Sequence, residues 1–247
     1  FLIYGILFNL LILGYFKYKN FFIENLNILF STDLNLNPLI LPLGISFFTF
    51  QQIAYLVDMK NDNNPEKDSF LKYFLFVSFF PQLIAGPIVK HKDIIGQFNY
   101  KKIFNINYKN IAIGLSIFSI GLFKKTFIAD NLSMIVDPIF LANENSINVS
   151  FFEAWSATIA YSFQIYFDFS AYSEMALGLA LLFNIKLPFN FTSPYKSRNI
   201  SIFWRNWHIT LSSFFRDYLY YPLSVFIEKK FSSKLSLFKT NFDIGFI

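Results

Sequence analysis

The stretch Phe203–Leu223, FWRNWHITLSSFFRDYLYYPL, decides how the rest of the chain is read. It sets two arginines and one of the protein's two histidines among eight aromatic rings. On a continuous helix, Arg205, His208, Ser212 and Arg216 follow steps of three, four and four, so they share one face. Trp204, Trp207, Leu211, Phe214 and Tyr218 cover much of the remainder. On spacing alone, two readings stand. In one, the helix lies in a membrane interface, its arginines reaching headgroups and its tryptophans at the boundary. In the other, the polar stripe faces a water-filled cavity and His208 is a catalytic base.

Both readings assume a membrane, and the composition supplies it. Of 247 residues, 54% are hydrophobic and only 15% charged, against about 25% charged in an ordinary soluble domain. The mean hydropathy is +0.42. Low charge with long apolar runs defines an integral membrane protein. The net charge of +5 is spread over several loops; it reads as membrane orientation and not as a nucleic-acid surface. There is no cysteine, which excludes disulfides, thiolate metal sites and cysteine nucleophiles. The two histidines, His91 and His208, are far apart in sequence, so no metal site is expected. The first apolar run opens without a basic leader and does not read as a signal peptide. The chain is expected to begin inside a helix.

A membrane helix needs about 20 apolar residues. The expected spans are Phe1–Phe16, Leu39–Val57, Phe70–Val89, Ile111–Ala129, Phe151–Phe167 and Ala171–Ile185. Pro38 and Pro42 stand near the start of the second, where proline is tolerated. Pro81 and Pro87 interrupt the third, with Gly86 beside them, as in a helix broken against protein and not lipid. The loop Lys90–Lys109 carries Lys90, Lys92, Lys101, Lys102 and Lys109 against one acid, Asp93, and is expected inside. The segment Asp130–Ser150 carries Asp130, Asp137 and Glu144 with no Lys or Arg, and is expected outside. Asn61–Ser69 then falls outside and Lys17–Asn37 inside. Lys124 and Lys125 fit this scheme less well, near the outer end of the fourth span. If Phe151–Phe167 and Ala171–Ile185 both cross, with a turn at Asp168–Ser170, the basic stretch Lys186–Arg216 lands outside, against the rule. A re-entrant or half-buried arrangement of these segments removes that conflict.

Five ordered blocks resemble a known family. They are LPLGISFFTFQQIAYLVD (Leu41–Asp58), FFPQLIAGPIVK (Phe79–Lys90), GLFKKTFIADNL (Gly121–Leu132), YFDFSAYSEMALGLALLFNIKLPFNFTSPY (Tyr166–Tyr195) and the opening stretch itself. Together they resemble the membrane-bound O-acyltransferases, in the bacterial branch that modifies alginate, peptidoglycan and teichoic acids. The resemblance covers about residues 39–223. It implies an all-α, polytopic membrane protein, a single membrane domain over 1–247, with re-entrant segments around a tunnel. It implies an acyltransferase in the bacterial inner membrane, moving an acetyl group from a cytoplasmic thioester donor to hydroxyls of a cell-envelope polysaccharide. The donor would be acetyl-CoA or another acyl thioester, with no resident cofactor and no metal. The implied partners are the lipid bilayer, the polysaccharide and an extracytoplasmic acetyltransferase protein; no nucleic acid is involved. The alternative is a non-catalytic remnant or helix-bundle interaction protein.

The residues suit that chemistry. An alcohol attacking a thioester must lose its proton, and neutral imidazole, with a pKa of about 6.5, can take it. His208 fits as catalytic base. Arg205, Arg216 and Ser212 are candidates for binding the donor or stabilising developing charge. Asp168 is a candidate to orient His208 or pair with an arginine, although acids in apolar settings more often pair helices. Asp217 reads as an ion-pair partner of Arg216. Gln51, Gln52, Gln82 and Gln164 read as inter-helix hydrogen-bonding groups. His91, between Lys90 and Lys92, reads as a solvated loop residue. The sequence departs from the family at one point: members carry a second histidine, in a Trp-His-Gly context downstream, and no histidine follows His208 here. The chain is therefore expected to be truncated at both ends, and alone not to acetylate.

Overall fold

A computed structural model describes residues 2–34, 39–61, 70–83, 86–98 and 103–231. Pro38, most of the expected outer loop (62–69), Lys101, Lys102 and the tail from 232 lie outside the described residues. Among the described residues every regular element is helical. The chain forms two compact units, one of residues 1–78, 88–93 and 192–247, the other of 79–87 and 94–191.

The second unit is built on a helical hairpin. Helices are numbered along the chain, and α7 is Tyr108–Phe123, opened by the Asn107 side chain accepting the Asn110 N–H at 3.2 Å. It passes through a wide π-helical turn, Lys124–Ala129, into α8, Asp130–Glu144. The run 108–144 is long and apolar enough to cross a membrane. The acidic segment expected to be an outer loop from Asp130 is thus mostly helix, because nothing at Asp130 stops the helix and the residues to Glu144 continue it. The return helix α9 is Phe151–Leu182, started by a reciprocal capping box between Ser150 and Glu153.

The turn expected at Asp168–Ser170 does not exist, and the two expected segments are one helix of 32 residues. No glycine or proline breaks it there. Ser170 Oγ turns back to the Phe167 carbonyl at 3.4 Å, and the Asp168 charge is met by Lys125 Nζ at 2.7 Å. With one helix in place of two segments, the sign conflict, which required two crossings here, no longer arises. The foot of α9 returns to the start of α7: Asn184 accepts from Asn110 Nδ2 at 2.8 Å and donates to the Asn105 carbonyl at 2.8 Å. Gln97 exchanges two hydrogen bonds with the Lys186 backbone, at 2.8 and 3.1 Å. Lys186 therefore lies at the Lys109 end of the hairpin, and Glu144 and Glu153 at the other.

Glycines set the hairpin's spacing. A Cβ on Gly114 would come 2.7 Å from the Gly178 carbonyl oxygen, and one on Gly178 would come 2.6 Å from that of Gly114. The backbones touch, as small residues allow between membrane helices.

In the first unit, α1 (Leu2–Leu13) runs through a π-helical turn, Gly14–Tyr18, into α2 (Lys19–Phe30). Residues 2–30 are the second stretch long and apolar enough to cross. Next come α3 (Ile45–Asn61) and α4 (Phe70–Ser78). The expected span Phe70–Val89 is broken, as its prolines foretold: α4 stops at Ser78, and among the described residues the single turn α5 (Phe80–Leu83, in the other unit) and the short α6 (His91–Ile95) come next. The last helices are α10 (Ile200–Asn206), α11 (Ile209–Phe215) and α12 (Tyr221–Phe231), with a π-helical turn at Arg216–Tyr220. The core of this unit is one face of α3, with Phe47, Phe50 and Ala54 against Ile88, Leu211, Phe214 and Tyr218.

Candidate functional site

The continuous helix expected through Arg205–Arg216 is broken at its middle. Helix α10 ends at Asn206, whose carbonyl accepts the Thr192 N–H at 3.1 Å and whose side chain donates to Ser197 Oγ at 3.2 Å. Trp207 is extended, its ring stacked on Phe203 at 5.7 Å. His208 then takes a left-handed backbone, φ 44° and ψ 56°. Its carbonyl accepts the Ser212 N–H at 3.1 Å and opens α11. A left-handed conformation on a non-glycine residue costs roughly 1–3 kcal/mol and needs surrounding structure to hold it.

This break overturns the one-sided stripe. Arg205, Ser212 and Arg216 are exposed, whereas His208 is 9% exposed and turned into the protein. The imidazole shares the buried side with Thr210 and Phe214. Its burial pushes its pKa down to about 4, so it is neutral at pH 7. A buried, neutral imidazole has the free lone pair a base needs, although the same burial resists its protonation; the two arginines are exposed to solvent. Among the described residues, no three His, Asp or Glu side chains gather as a metal site would require.

Helix α11 is held by contacts that, apart from the Arg216–Asp217 pair, the sequence did not announce. Thr210 Oγ1 accepts the Ile88 N–H at 3.0 Å, both groups buried. Phe214 lies against Phe50 and Tyr218, with ring centroids 5.1 and 5.0 Å apart. Tyr218 donates to Asp58 at 2.8 Å. Asp217 pairs with Arg216 at 2.9 Å, as expected, and also with Lys90 at 2.5 Å. Burial raises the Asp217 carboxyl, but the hydrogen bonds from Arg216 and Lys90 outweigh it and hold the pKa below the usual carboxylate range. The Gly-Pro-Ile block is thus a clamp: Ile88 and Lys90 grip the segment that follows His208. Only its place in the sequence pattern hinted at this.

His91 is a correction. It is not a solvated loop residue but is 5% exposed. Its ring meets Tyr55 at 4.7 Å and Phe76 at 5.3 Å, both edge-on. The neighbouring lysines hide in the sequence what these aromatic rings do in space. Asp168 belongs to the other unit, where Lys125 bridges it and Asp130 at 2.7 and 2.8 Å. Lys124 pairs alongside with Glu174 at 2.5 Å. Gln51 and Gln82 are fully buried.

With this geometry in view, the comparisons define the class. Residues 43–240 match the profile of MBOAT, the membrane-bound O-acyltransferase family. The chain belongs to that family. It is 50% identical over 246 residues to a peptidoglycan O-acetyltransferase of Helicobacter pylori, a match covering 90% of this chain and 46% of that protein. It is 40% identical over 244 residues to a probable alginate O-acetylase, AlgI, of Pseudomonas aeruginosa, covering 97% of this chain and 45% of that one. A teichoic acid D-alanyltransferase of Bacillus subtilis is 30% identical, over 76% of this chain and 47% of its own length. The chain spans about half the length of the curated relatives it matches.

Proposed function

We propose that this chain is part of an acyltransferase of the bacterial inner membrane that moves an acetyl group from a cytoplasmic thioester to hydroxyls of a cell-envelope polysaccharide. His208 is the general base in this reading. It takes the proton from the attacking alcohol, whose oxygen forms the ester bond as the carbon–sulfur bond breaks and the thiol leaves. Arg205 and Arg216 meet the charged end of the donor, acetyl-CoA or another acyl thioester, and Ser212 lies between them on the exposed side. Arg216 is eight residues beyond His208, about 12 Å along a helix. The donor that suits this spacing is long, with its reactive thioester well separated from its charge. Acceptance outside the cell, by way of an extracytoplasmic partner protein, accords with relatives named for peptidoglycan and alginate.

The observation that carries the reading is a buried histidine held in a strained conformation at a helix break, because strain of this kind persists where surrounding structure enforces it, and clusters at active sites. The two units are read as one multi-pass domain, the broken segment of α5 and α6 being re-entrant. The charge at the two ends of the α7–α9 hairpin supports an orientation with Lys109 and Lys186 inside.

The test is expression in a bacterium lacking its own envelope acetyltransferase, followed by release of ester-linked acetate from the glycan. The chain as given is expected to yield none, and a version extended through a downstream Trp-His-Gly segment to yield acetate. In the extended version, His208→Gln should lower that yield by roughly 10²- to 10⁴-fold. Full activity of His208→Gln would overturn the assignment.

A further inference from the structure

Beside the π-helical turn between α1 and α2 lies an open cavity of about 220 Å³, lined by Phe16, Lys17, Lys19, Asn20, Leu39 and Leu41. It lies apart from the residues assigned to catalysis. Among the described residues, neither lysine makes an ion pair with a carboxylate. Each ammonium is instead steadied over a ring: Lys17 is 5.6 Å from the centroid of Tyr18, and Lys19 is 5.7 Å from that of Tyr15. The Asn20 side-chain oxygen is buried with no hydrogen-bond partner, an arrangement that costs stability unless a donor arrives. The wall between these groups is apolar, from Phe16, Leu39 and Leu41. The backbone here is the π-helical turn Gly14–Tyr18, a distortion frequent at functional sites.

These features ask for one kind of ligand. Two uncompensated cations call for a phosphate. A lone buried acceptor calls for a hydroxyl donor. An apolar wall calls for hydrocarbon. The volume is below the 300–1,000 Å³ usual for a whole drug-sized molecule, so it suits a headgroup whose remainder lies outside. The two lysines follow directly on the uncharged, apolar residues 2–16 of the helical run 2–30, and basic residues at the end of such a stretch meet anionic lipid headgroups.

We infer that this cavity binds the phosphoglycerol headgroup of an anionic phospholipid. Lys17 and Lys19 hold the phosphate, Asn20 accepts from a glycerol hydroxyl, and Phe16, Leu39 and Leu41 contact the first methylenes of the chains.

The experiment is native mass spectrometry of the protein purified in detergent micelles, titrated separately with phosphatidylglycerol, phosphatidic acid, phosphatidylcholine and free glycerol 1-phosphate. Phosphatidylglycerol should be retained in preference to phosphatidylcholine. Lys17→Ala and Lys19→Ala should each lower that retention about fivefold, whereas Lys17→Arg with Lys19→Arg should keep it. Asn20→Leu should erase the preference for phosphatidylglycerol over phosphatidic acid, which has no glycerol headgroup. Helical content by circular dichroism checks that each variant is folded. Equal retention of phosphatidylglycerol and phosphatidylcholine, or no change on removing both lysines, overturns the proposal. Free glycerol 1-phosphate binding as tightly as the lipid overturns the lipid assignment in favour of a soluble phosphate.

Discussion

Replacing Lys125 by methionine removes the cation that two carboxylates share. Lys125 Nζ is 2.8 Å from Asp130 and 2.7 Å from Asp168, inside the apolar run 108–144 and against α9. Lys125→Met strands both acids. Asp168→Asn strands nothing, because Lys125 keeps Asp130. The two substitutions therefore differ in cost although they break the same pair. Removing one partner of a fully buried pair costs roughly 3–5 kcal/mol, and of an exposed pair about 0–1 kcal/mol. Here the side chains of Lys125, Asp168 and Asp130 are 28%, 41% and 48% exposed, which places the case between those limits. The expected losses are about 2 kcal/mol for Lys125→Met and about 0.5–1 kcal/mol for Asp168→Asn. The double variant should cost less than the sum, because Asp168→Asn removes one of the acids that Lys125→Met would strand. Unfolding in mixed micelles with rising sodium dodecyl sulfate, followed by circular dichroism, reads all three. Equal losses from the two single variants, or strict additivity, would refute the helix-pairing account of Asp168. The same variants, placed in a longer version that acetylates, weigh its other role. An orienting acid for His208 should lower acetate transfer far more in Asp168→Asn than in Lys125→Met.

Gly178→Ala places a Cβ 2.6 Å from the Gly114 oxygen and forces the hairpin apart by about 0.8 Å; a loss of roughly 1–3 kcal/mol is expected in the same assay. Gly96→Ala, which meets nothing within 4 Å, is the control, and equal behaviour of the two would remove the close-contact argument. The His208 imidazole should titrate near pH 4 and not 6.5, read from the ¹⁵N shifts of labelled histidine with His208→Gln for assignment; a midpoint at 6.5 or above contradicts its burial. Because the folded pKa is depressed, stability should be full above about pH 6.5 and fall as the pH drops toward 4, where the unfolded chain takes a proton that the folded one refuses. A cysteine at Asn143 should react with a membrane-impermeant thiol reagent in intact cells and one at Lys186 should not; the reverse pattern inverts the orientation.

Helix content and membrane character were legible because apolar runs of this length have few alternatives. Breaks were legible only where proline or glycine announces them, as at Pro81 and Gly86. The join at Asp168–Ser170 was misread because three residues with polar ends look like a turn in a hydropathy pattern. What keeps them helical is tertiary: the ammonium of Lys125 on a different helix. The same cation explains why Lys124 and Lys125 fitted the loop rule poorly. They are helix-pairing charges, bound to Glu174 and Asp168, and do not report on orientation.

The site shows a different limit. Periodicity put His208 on the face of Arg205, Ser212 and Arg216, and that inference holds only while the helix is unbroken. No glycine or proline stands at Trp207–His208, so composition cannot announce the break. Its causes are distributed: the Asn206 carbonyl tied to Thr192, Trp207 stacked on Phe203, and Thr210 gripped by Ile88. Each is a contact between segments distant in sequence or shaped by a ring, and together they turn one side chain inward while its neighbours stay out. This separation matters for the chemistry. In the proposed reaction, a base on the arginine face would be solvated and in competition with water, whereas a buried imidazole with the two arginines exposed would let charge be recognised at the surface and the proton be moved away from bulk water. In low-dielectric surroundings the developing charge of that proposed reaction would be felt more strongly. The break at His208 is the local event that converts an amphipathic stripe into those two compartments.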